Sequence, residues 1–237
     1  MQAKEYISEI IARLEQTYGI PQHGNKEDPL DELIYIKLSQ QTNSPKFRSM
    51  YEALQCRYPG WHGLEKASLK DLEALLRPGG LAQQRARYLK DIAAQIVKDC
   101  GQPDLSWLRD VSPPDALTYL LSLPGIGLKT AYCVGMYALG WEVLPVDVHV
   151  QRISERLGLL PPSLSDKKKH LLLEEIIQPD KRYSYHVTCV SHGRAVCRKV
   201  PRCHICCIRD FCAFWAACGE GEAQLTQEWK GGKKVRK

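Results

Sequence analysis

Helical periodicity runs through almost every segment of this 237-residue chain and constrains its fold more than any other feature. Apolar residues recur at the three- and four-residue spacing of one helix face over 7–18 and again over 89–96. Asp28 followed by Pro29 marks the start of another helix, as an N-cap and a proline at the first helical position. The alternation that is typical of strands is missing throughout. The sequence therefore predicts an all-α protein.

Composition and charge indicate the cellular compartment of the protein and the kind of partner that it binds. The longest uncharged apolar run, over 130–141, is shorter than the roughly 20 residues that cross a bilayer. The amino terminus lacks the apolar core of a signal peptide, so we expect a cytoplasmic protein with no membrane partner. Lys and Arg exceed Asp and Glu by 33 − 27 = 6, and the tail "KGGKKVRK" is basic. This balance weakly favours a polyanionic partner.

The stretch "LPGIGLKTAYC" joins two predicted helices through a turn that contains Gly125 and Gly127. Glycine permits positive φ and lets another backbone approach closely. Exposed N–H groups at the amino end of the second helix would bind a phosphate, a contact that holds nucleic acid without reading its sequence. An ordinary helix–helix connection is the alternative interpretation.

Lys129 follows this turn, and Asp147 begins the next amphipathic helix. A cation at the positive end of a helix is disfavoured, which lowers the lysine pKa and supplies the free amine that forms a Schiff base. Asp147 would stabilise positive charge that develops on a sugar, or take part in proton transfer. A solvated surface lysine and a simple helix N-cap are the structural alternatives.

Six of the ten cysteines crowd between Cys197 and Cys218, which in a reducing compartment indicates a metal site rather than disulfides. Structural zinc sites pair two short Cys-x2–4-Cys knuckles, and this segment has one. Four thiolates at unequal spacing suit a [4Fe–4S] cluster better.

Together these motifs carry a family resemblance. "LPGIGLKTA", "VDVH" and the cysteine cluster, with "LSQQTN", "GLAQQRA" and "SHGR" in matching order, resemble the endonuclease III branch of the helix-hairpin-helix DNA glycosylases. The resemblance runs from about Asp28 to Cys212. It implies two helical lobes. One is continuous over 26–141 and contains the hairpin; the other joins 1–25 to 142–237, with a cluster loop at 197–212 and the basic tail.

The resemblance also implies roles for single residues. Lys129 takes the position of the family's nucleophilic lysine, and Asp147 that of its catalytic aspartate. Gln41 and Leu81 fall where the family inserts side chains into the duplex in place of a flipped base, although buried or merely exposed loop residues are alternatives. Gly125, Gly127 and Arg194 complete the set of candidate DNA contacts.

The cluster ligands implied by the resemblance are Cys197, Cys203, Cys206 and Cys212. The family places six residues between its first two ligands, and here five intervene. Cys207 and Cys218 are spare thiols that could substitute. Basic residues interleave with the ligands, so the loop is also expected to face DNA phosphates.

Related adenine glycosylases that do not cut the backbone carry Ser or Tyr at the position of Lys129. We therefore predict a bifunctional DNA glycosylase and abasic-site lyase. It would act as a monomer on double-stranded DNA, remove damaged, oxidised pyrimidines, and associate with the nucleoid if the source is bacterial. Mismatched thymine or uracil is an alternative substrate. So is 5-methylcytosine, because residues 104–134 resemble the catalytic region of plant 5-methylcytosine glycosylases. A non-catalytic, cluster-bearing DNA-binding protein is the other alternative.

Overall fold

A computed structural model of the chain describes residues 2–218, and the predicted basic tail lies outside them. Over that range the chain forms α-helices joined by loops and short 3-10 helices, without a β-strand. The predicted all-α class is confirmed. The helices are α1 (Gln2–Glu5), α2 (Ile7–Tyr18), α3 (Pro29–Ser39), α4 (Ser44–Arg57), α5 (Leu69–Leu76), α6 (Ala82–Cys100), α7 (Pro113–Ser122), α8 (Leu128–Ala138), α9 (Val148–Leu157), α10 (Asp166–Ile176), α11 (Pro179–Ala195) and α12 (Ala213–Cys218).

Two compact units divide the chain. Gly24–Trp141 forms what we call the continuous unit, and residues 2–23 with 142–218 form the described part of the split unit. Each unit has its own apolar core. Within residues 2–218, no helix has both the length and the apolar character that a bilayer crossing requires.

The continuous unit is built around α3. Asp28 caps this helix by accepting hydrogen bonds from the N–H groups of Leu30 and Asp31, each at 2.9 Å, with Pro29 in the first turn as predicted. Helix α3 packs against α4 and α8, while α5 packs on α6 and α7 on α8. Because α3 is covered on most sides, even Glu32 in its first turn is fully buried.

The split unit pairs α2 with α11, and α11 with α9. Ile10, Ile11 and Leu14 form the buried face of α2, and Gly19 ends the helix with φ +64°. Helix α12 packs on α9. The cysteine-rich segment between α11 and α12 contains two 3-10 helices, Cys203–Ile205 and Arg209–Phe211.

Candidate active site and cysteine cluster

The glycine turn between α7 and α8 uses its two glycines differently. Gly125 has φ +67°, and a Cβ there would lie 3.0 Å from Cε1 of Tyr88, so this position needs glycine for its own fold. Gly127 is the N-cap of α8 with φ −99°, and a Cβ there would have no neighbour within 4 Å among the described residues. Of the two glycines in the turn, only Gly125 therefore uses the positive φ that glycine permits. Its exposed backbone leaves the start of α8 open to an approaching ligand.

Lys37, which belongs to the same unit, contacts the turn. Its Nζ donates a hydrogen bond to the Gly125 carbonyl at 3.1 Å and lies 4.8 Å from the centre of the Tyr88 ring. Burial lowers the pKa of Lys37, and the positive charges of Arg85 and Lys129 lower it further. Lys37 therefore holds the turn through the carbonyl group of Gly125.

Lys129 lies half-buried in the first turn of α8, two residues after Gly127. The next residue, Thr130, is buried and accepts a hydrogen bond from Nε2 of Gln40 at 3.1 Å. Burial raises the pKa of Glu32 to about 7, while a backbone N–H, a side-chain amide and the charge of Lys129 act in the opposite direction. The amine of Lys129 is thus placed in the electrostatic field of a buried carboxyl group.

Gln41 and Leu81 both present exposed side chains from strained turns. Gln41 follows α3 with φ +54°, and Leu81 precedes α6 with φ +52°. Leu81 is 53% exposed, which is unusual for a leucine of this unit. The two residues line one cavity, together with Lys37, Leu38, Gln40, Gln84, Arg85, Tyr88, Leu89 and Gly125. Of the alternatives, burial is wrong for both residues.

Asp147 belongs to the split unit, where it caps α9. Its Oδ1 accepts hydrogen bonds from the N–H groups of His149 and Val150, each at 2.8 Å. The predicted N-cap role is confirmed, and it is compatible with a second role for the carboxylate.

His149 connects this cap to the segment that contains Arg194. A Cβ at Gly193 would lie 2.4 Å from Nδ1 of His149, so the glycine of "SHGR" admits the imidazole. Burial lowers the pKa of His149; Asp147 raises it, and Arg152 and exposed Arg194 lower it. The split unit therefore brings Asp147 and Arg194 into one electrostatic neighbourhood.

The four predicted cluster cysteines share a half-buried part of the split unit. Burial is the main cause that raises the pKa of Cys206 to about 12 and of Cys212 to about 11, and it also raises that of Cys203. A negative charge on Cys197 raises all three further, so the four thiols lie within one another's field. Spare thiols are close by, since Cys207 acts on Cys206 in the same way.

Two basic side chains bind this cysteine-rich segment. Nη1 of Arg156 donates to Sγ of Cys197 at 3.1 Å and to the Arg198 carbonyl at 2.7 Å, and Nη2 donates to the Lys199 carbonyl at 3.0 Å. Nε2 of buried His192 lies 3.4 Å from Sγ of Cys206. The shortened five-residue stretch after Cys197 is therefore tied to α9.

The arrangement of these cysteines bears on which metal group they could hold. In residues 2–218 no three His, Cys, Asp or Glu side chains converge as ligands of one metal ion. A zinc ion needs its sulfurs about 2.3 Å from a single point, whereas a cubane cluster carries each thiolate on a different iron atom. Four half-buried cysteines at unequal spacing in one segment are the donor set that a cubane cluster takes.

Sequence reasoning missed Glu32, Lys37, Tyr88 and Thr130. The sequence around these four residues does not indicate a role in the site. They reach the site only because α3 and α6 pack against the glycine turn and α8. The positive φ of Gln41 and Leu81 was missed for the same reason: neither is a glycine or an asparagine.

Comparison with known proteins agrees with this arrangement. Residues 35–179 match the family model described as HhH-GPD superfamily base excision DNA repair protein. The chain is 30% identical to endonuclease III of Thermotoga maritima over 95% of its own length and 99% of that protein's. It is 25% identical, with a TM-score of 0.78, to a solved structure of a trapped endonuclease III–DNA covalent intermediate, an estranged-adenine complex, covering 92% of this chain and 99% of the other.

Two Arabidopsis thaliana relatives are longer than this chain. One, provisionally named a DNA glycosylase, is 31% identical over 71% of this chain and 58% of its own length. The other, DNA glycosylase/AP lyase ROS1, is 31% identical over 66% of this chain and 13% of its own length. The chain therefore spans somewhat more than half of the first plant protein and a small part of the second.

Proposed function

This chain belongs to the HhH-GPD superfamily of base excision DNA repair proteins, and from that premise we propose that it is a bifunctional DNA glycosylase and abasic-site lyase. The observation that carries the proposal is the half-buried side chain of Lys129 in the first turn of α8, two residues after the open backbone of Gly127. The open turn offers N–H groups to a DNA phosphate, and the amine is the nucleophile.

The proposed reaction begins on a nucleotide that has left the base stack. The free amine of Lys129 attacks C1′ as the bond between C1′ and the base nitrogen breaks, and the base leaves with that electron pair and gains a proton. The lysine nitrogen loses a proton and the sugar ring opens, which gives an imine. Loss of a C2′ proton then expels the 3′ phosphate by β-elimination, and water releases the unsaturated aldehyde from Lys129.

Asp147 is proposed as the carboxylate that offsets positive charge on the sugar. Its bonds to the N–H groups of His149 and Val150 fix Oδ1 and leave the side chain in one orientation. Gln41 and Leu81 are proposed to fill the space left by the flipped base. Gly125, Gly127 and Arg194 are proposed to contact the DNA backbone.

The four cysteines Cys197, Cys203, Cys206 and Cys212 are proposed to hold a [4Fe–4S] cluster. Such a cluster, when bound, cross-links its loop through four iron–thiolate bonds. The support is the shared burial and mutual charge of these thiols.

Borohydride trapping tests the lysine. Reduction of the imine would join the protein permanently to duplex DNA that contains an abasic site, and Lys129→Ala should lower this cross-linking at least 100-fold. Lys98→Ala is the matched control, since Lys98 is exposed in the same unit. Lys90 is a poorer control because its Nζ donates to the carbonyl of Ala67 at 2.8 Å. Equal trapping by Lys129→Ala and wild type would remove the lysine from the mechanism.

The carboxylate is tested with Asp147→Asn in the same assays. Asn also caps helices, so the variant should fold normally and lose base removal at least 100-fold.

A panel of duplexes, each with one modified base, then separates oxidised pyrimidines from mismatched thymine or uracil and from 5-methylcytosine. A folded wild-type protein that binds DNA but neither releases a base nor traps would instead be a non-catalytic DNA-binding protein.

A further inference from the structure

Arg85 lies in the first turn of α6 and is 8% exposed. All five of its bonds go to oxygen atoms of the continuous unit. Nε donates to the Gly80 carbonyl at 3.0 Å, Nη1 to the carbonyls of Lys37 and Leu38 at 3.1 and 2.9 Å, and Nη2 to the Gln40 carbonyl and Thr42 Oγ1, both at 2.5 Å. The full donor capacity of the guanidinium is therefore engaged.

These acceptors come from both turns that carry the exposed side chains. Four of them lie within 37–42, around Gln41, and the fifth is the residue directly before Leu81. The bonds thus join the end of α3 to the start of α6, on either side of the shared cavity. Thr42 adds a weaker link, since its Oγ1 lies 3.4 Å from the Gly79 carbonyl.

The position also explains how a buried cation is tolerated. Lys37 and Leu38 lie in the last turn of α3 and Gln40 is its C-cap residue, at the end where a helix leaves its carbonyls without partners. That end of the helix carries partial negative charge, which favours a cation. The planar guanidinium satisfies three of these groups at once, which the single ammonium of a lysine cannot do with the same geometry.

Both connected residues have backbone strain that must be held by their surroundings. Gln41 and Leu81 have positive φ, a backbone conformation that non-glycine residues rarely adopt. Neither side chain is buried, so packing of those side chains does not fix the turns. The bonds from Arg85 to Gln40 and Gly80, one residue before each strained position, supply that restraint.

We propose that Arg85 is the positioning residue that holds Gln41 and Leu81 in register for insertion into DNA. The inference rests on the proposed function, because insertion is what makes the spacing of the two side chains matter. Arg85 itself does not touch the reacting atoms; it acts through the two turns. Preorganised turns would enter the duplex without first ordering themselves.

The test uses the full chain and a duplex with an uncleavable tetrahydrofuran abasic analogue opposite 2-aminopurine. Fluorescence of 2-aminopurine rises when Leu81 unstacks that base. At saturating protein, Arg85→Lys should lose more than half of the wild-type rise, whereas the exposed neighbour variant Arg87→Lys should keep it. Amide exchange over 40–43 and 79–82 should be at least tenfold faster in Arg85→Lys.

A double-mutant comparison separates positioning from general structural support. In a Gln41→Ala/Leu81→Ala background, Arg85→Lys should cause little further loss of the fluorescence rise, because Arg85 acts through those two side chains. Equal fractional losses with and without the two side chains would overturn the proposal. Thr42→Val removes one acceptor of Arg85 and should also speed amide exchange over 40–43 and 79–82, by a smaller factor. This variant replaces Arg85→Lys in the test if Arg85→Lys folds poorly.

The outcomes distinguish this inference from the proposed function. If wild type produces no unstacking, the insertion role of Leu81 is wrong, and with it the part of this proposal that concerns DNA. If wild type unstacks the base and Arg85→Lys matches it in fluorescence and exchange, the proposed function stands and Arg85 is not its positioning residue.

Discussion

At the scale of single residues, Glu32 is an unusual ionisable group of the continuous unit because it is a fully buried carboxyl. Its carboxyl is fully buried and accepts hydrogen bonds from Nδ2 of Asn25 and, at 2.6 Å, from the N–H of Lys26. Those two donors favour the charged form, yet burial prevails and raises the pKa from 4.5 to about 7. Folding therefore favours the protonated carboxyl.

This shift predicts how stability changes with pH. Below pH 4.5 the carboxyl is protonated in both folded and unfolded chains, so it has no effect. Between pH 4.5 and about 7 the carboxyl ionises in the unfolded chain but stays protonated in the folded one. The free energy of unfolding therefore falls by about 3 kcal/mol as the pH rises through this range. Glu32→Gln should remove this loss, with Asn25 turning its amide to accept from the new side chain.

Urea unfolding at pH 4.5 and pH 8 measures the effect. Tryptophan fluorescence reports the continuous unit, which holds Trp61, Trp107 and Trp141 of the chain's five tryptophans. The exposed Glu52→Gln is the matched control. If Glu32→Gln and wild type show the same pH dependence, the carboxyl is already ionised in the folded protein at neutral pH.

Such a residue shows where sequence reasoning stops. An acidic residue in the first turn of a helix is ordinary, because it complements the helix dipole. Only the packing of α3 by α4 and α8 buries Glu32, and no local pattern encodes that packing. Lys129 could be singled out from its motif, but the buried carboxyl whose field it shares could not.

At the scale of elements, the turn between α7 and α8 separates a folding role from a binding role. Gly125→Ala would force an L-residue into φ +67° and move Tyr88, so stability should fall by about 1–2 kcal/mol. Gly127→Ala meets no neighbour and keeps an allowed φ, so stability should stay within about 0.5 kcal/mol. Its methyl group should nevertheless obstruct a phosphate and weaken DNA binding at least tenfold.

Urea unfolding, together with affinity for the tetrahydrofuran duplex at fixed salt, tests the pair of glycine variants. A Gly127→Ala protein that binds as tightly as wild type would show that this backbone does not approach DNA.

Elements were more predictable from sequence than their tertiary surroundings. The cap at Asp28, the proline after it and the periodic apolar face of α2 are local signals, and the structure confirms them. The strained turns at Gln41 and Leu81 carry no such signal. Their geometry depends on Arg85, which is more than 40 residues from Gln41 in sequence.

At the scale of the whole molecule, each unit has its own apolar core. We therefore expect loss of the cluster to destabilise the cysteine-rich segment of the split unit and to leave the continuous unit unchanged. Purified protein should contain about four irons per chain, and Cys203→Ser or Cys206→Ser should abolish them, while the exposed Cys56→Ser keeps them. Amide exchange should quicken over 197–218 without change in α3 to α8, because the continuous unit has its own core.

Iron and zinc analysis checks the first part of this prediction, and exchange mass spectrometry the second. Zinc in place of iron would contradict the cluster. Iron retained by Cys197→Ser alone would show that Cys207 or Cys218 has taken over as a ligand.

The division of the split unit into two chain segments also determines which unit can fold first during translation. Helix α2 leaves the ribosome early, but its partner α11 begins only at Pro179, about 160 residues later. At about 5–20 residues per second, the apolar face of α2 waits roughly 8–30 seconds for that partner. The continuous unit is complete at Trp141 and can fold in that interval. The nascent chain therefore carries a finished domain beside an unpaired amphipathic helix, the kind of surface that ribosome-associated chaperones shield.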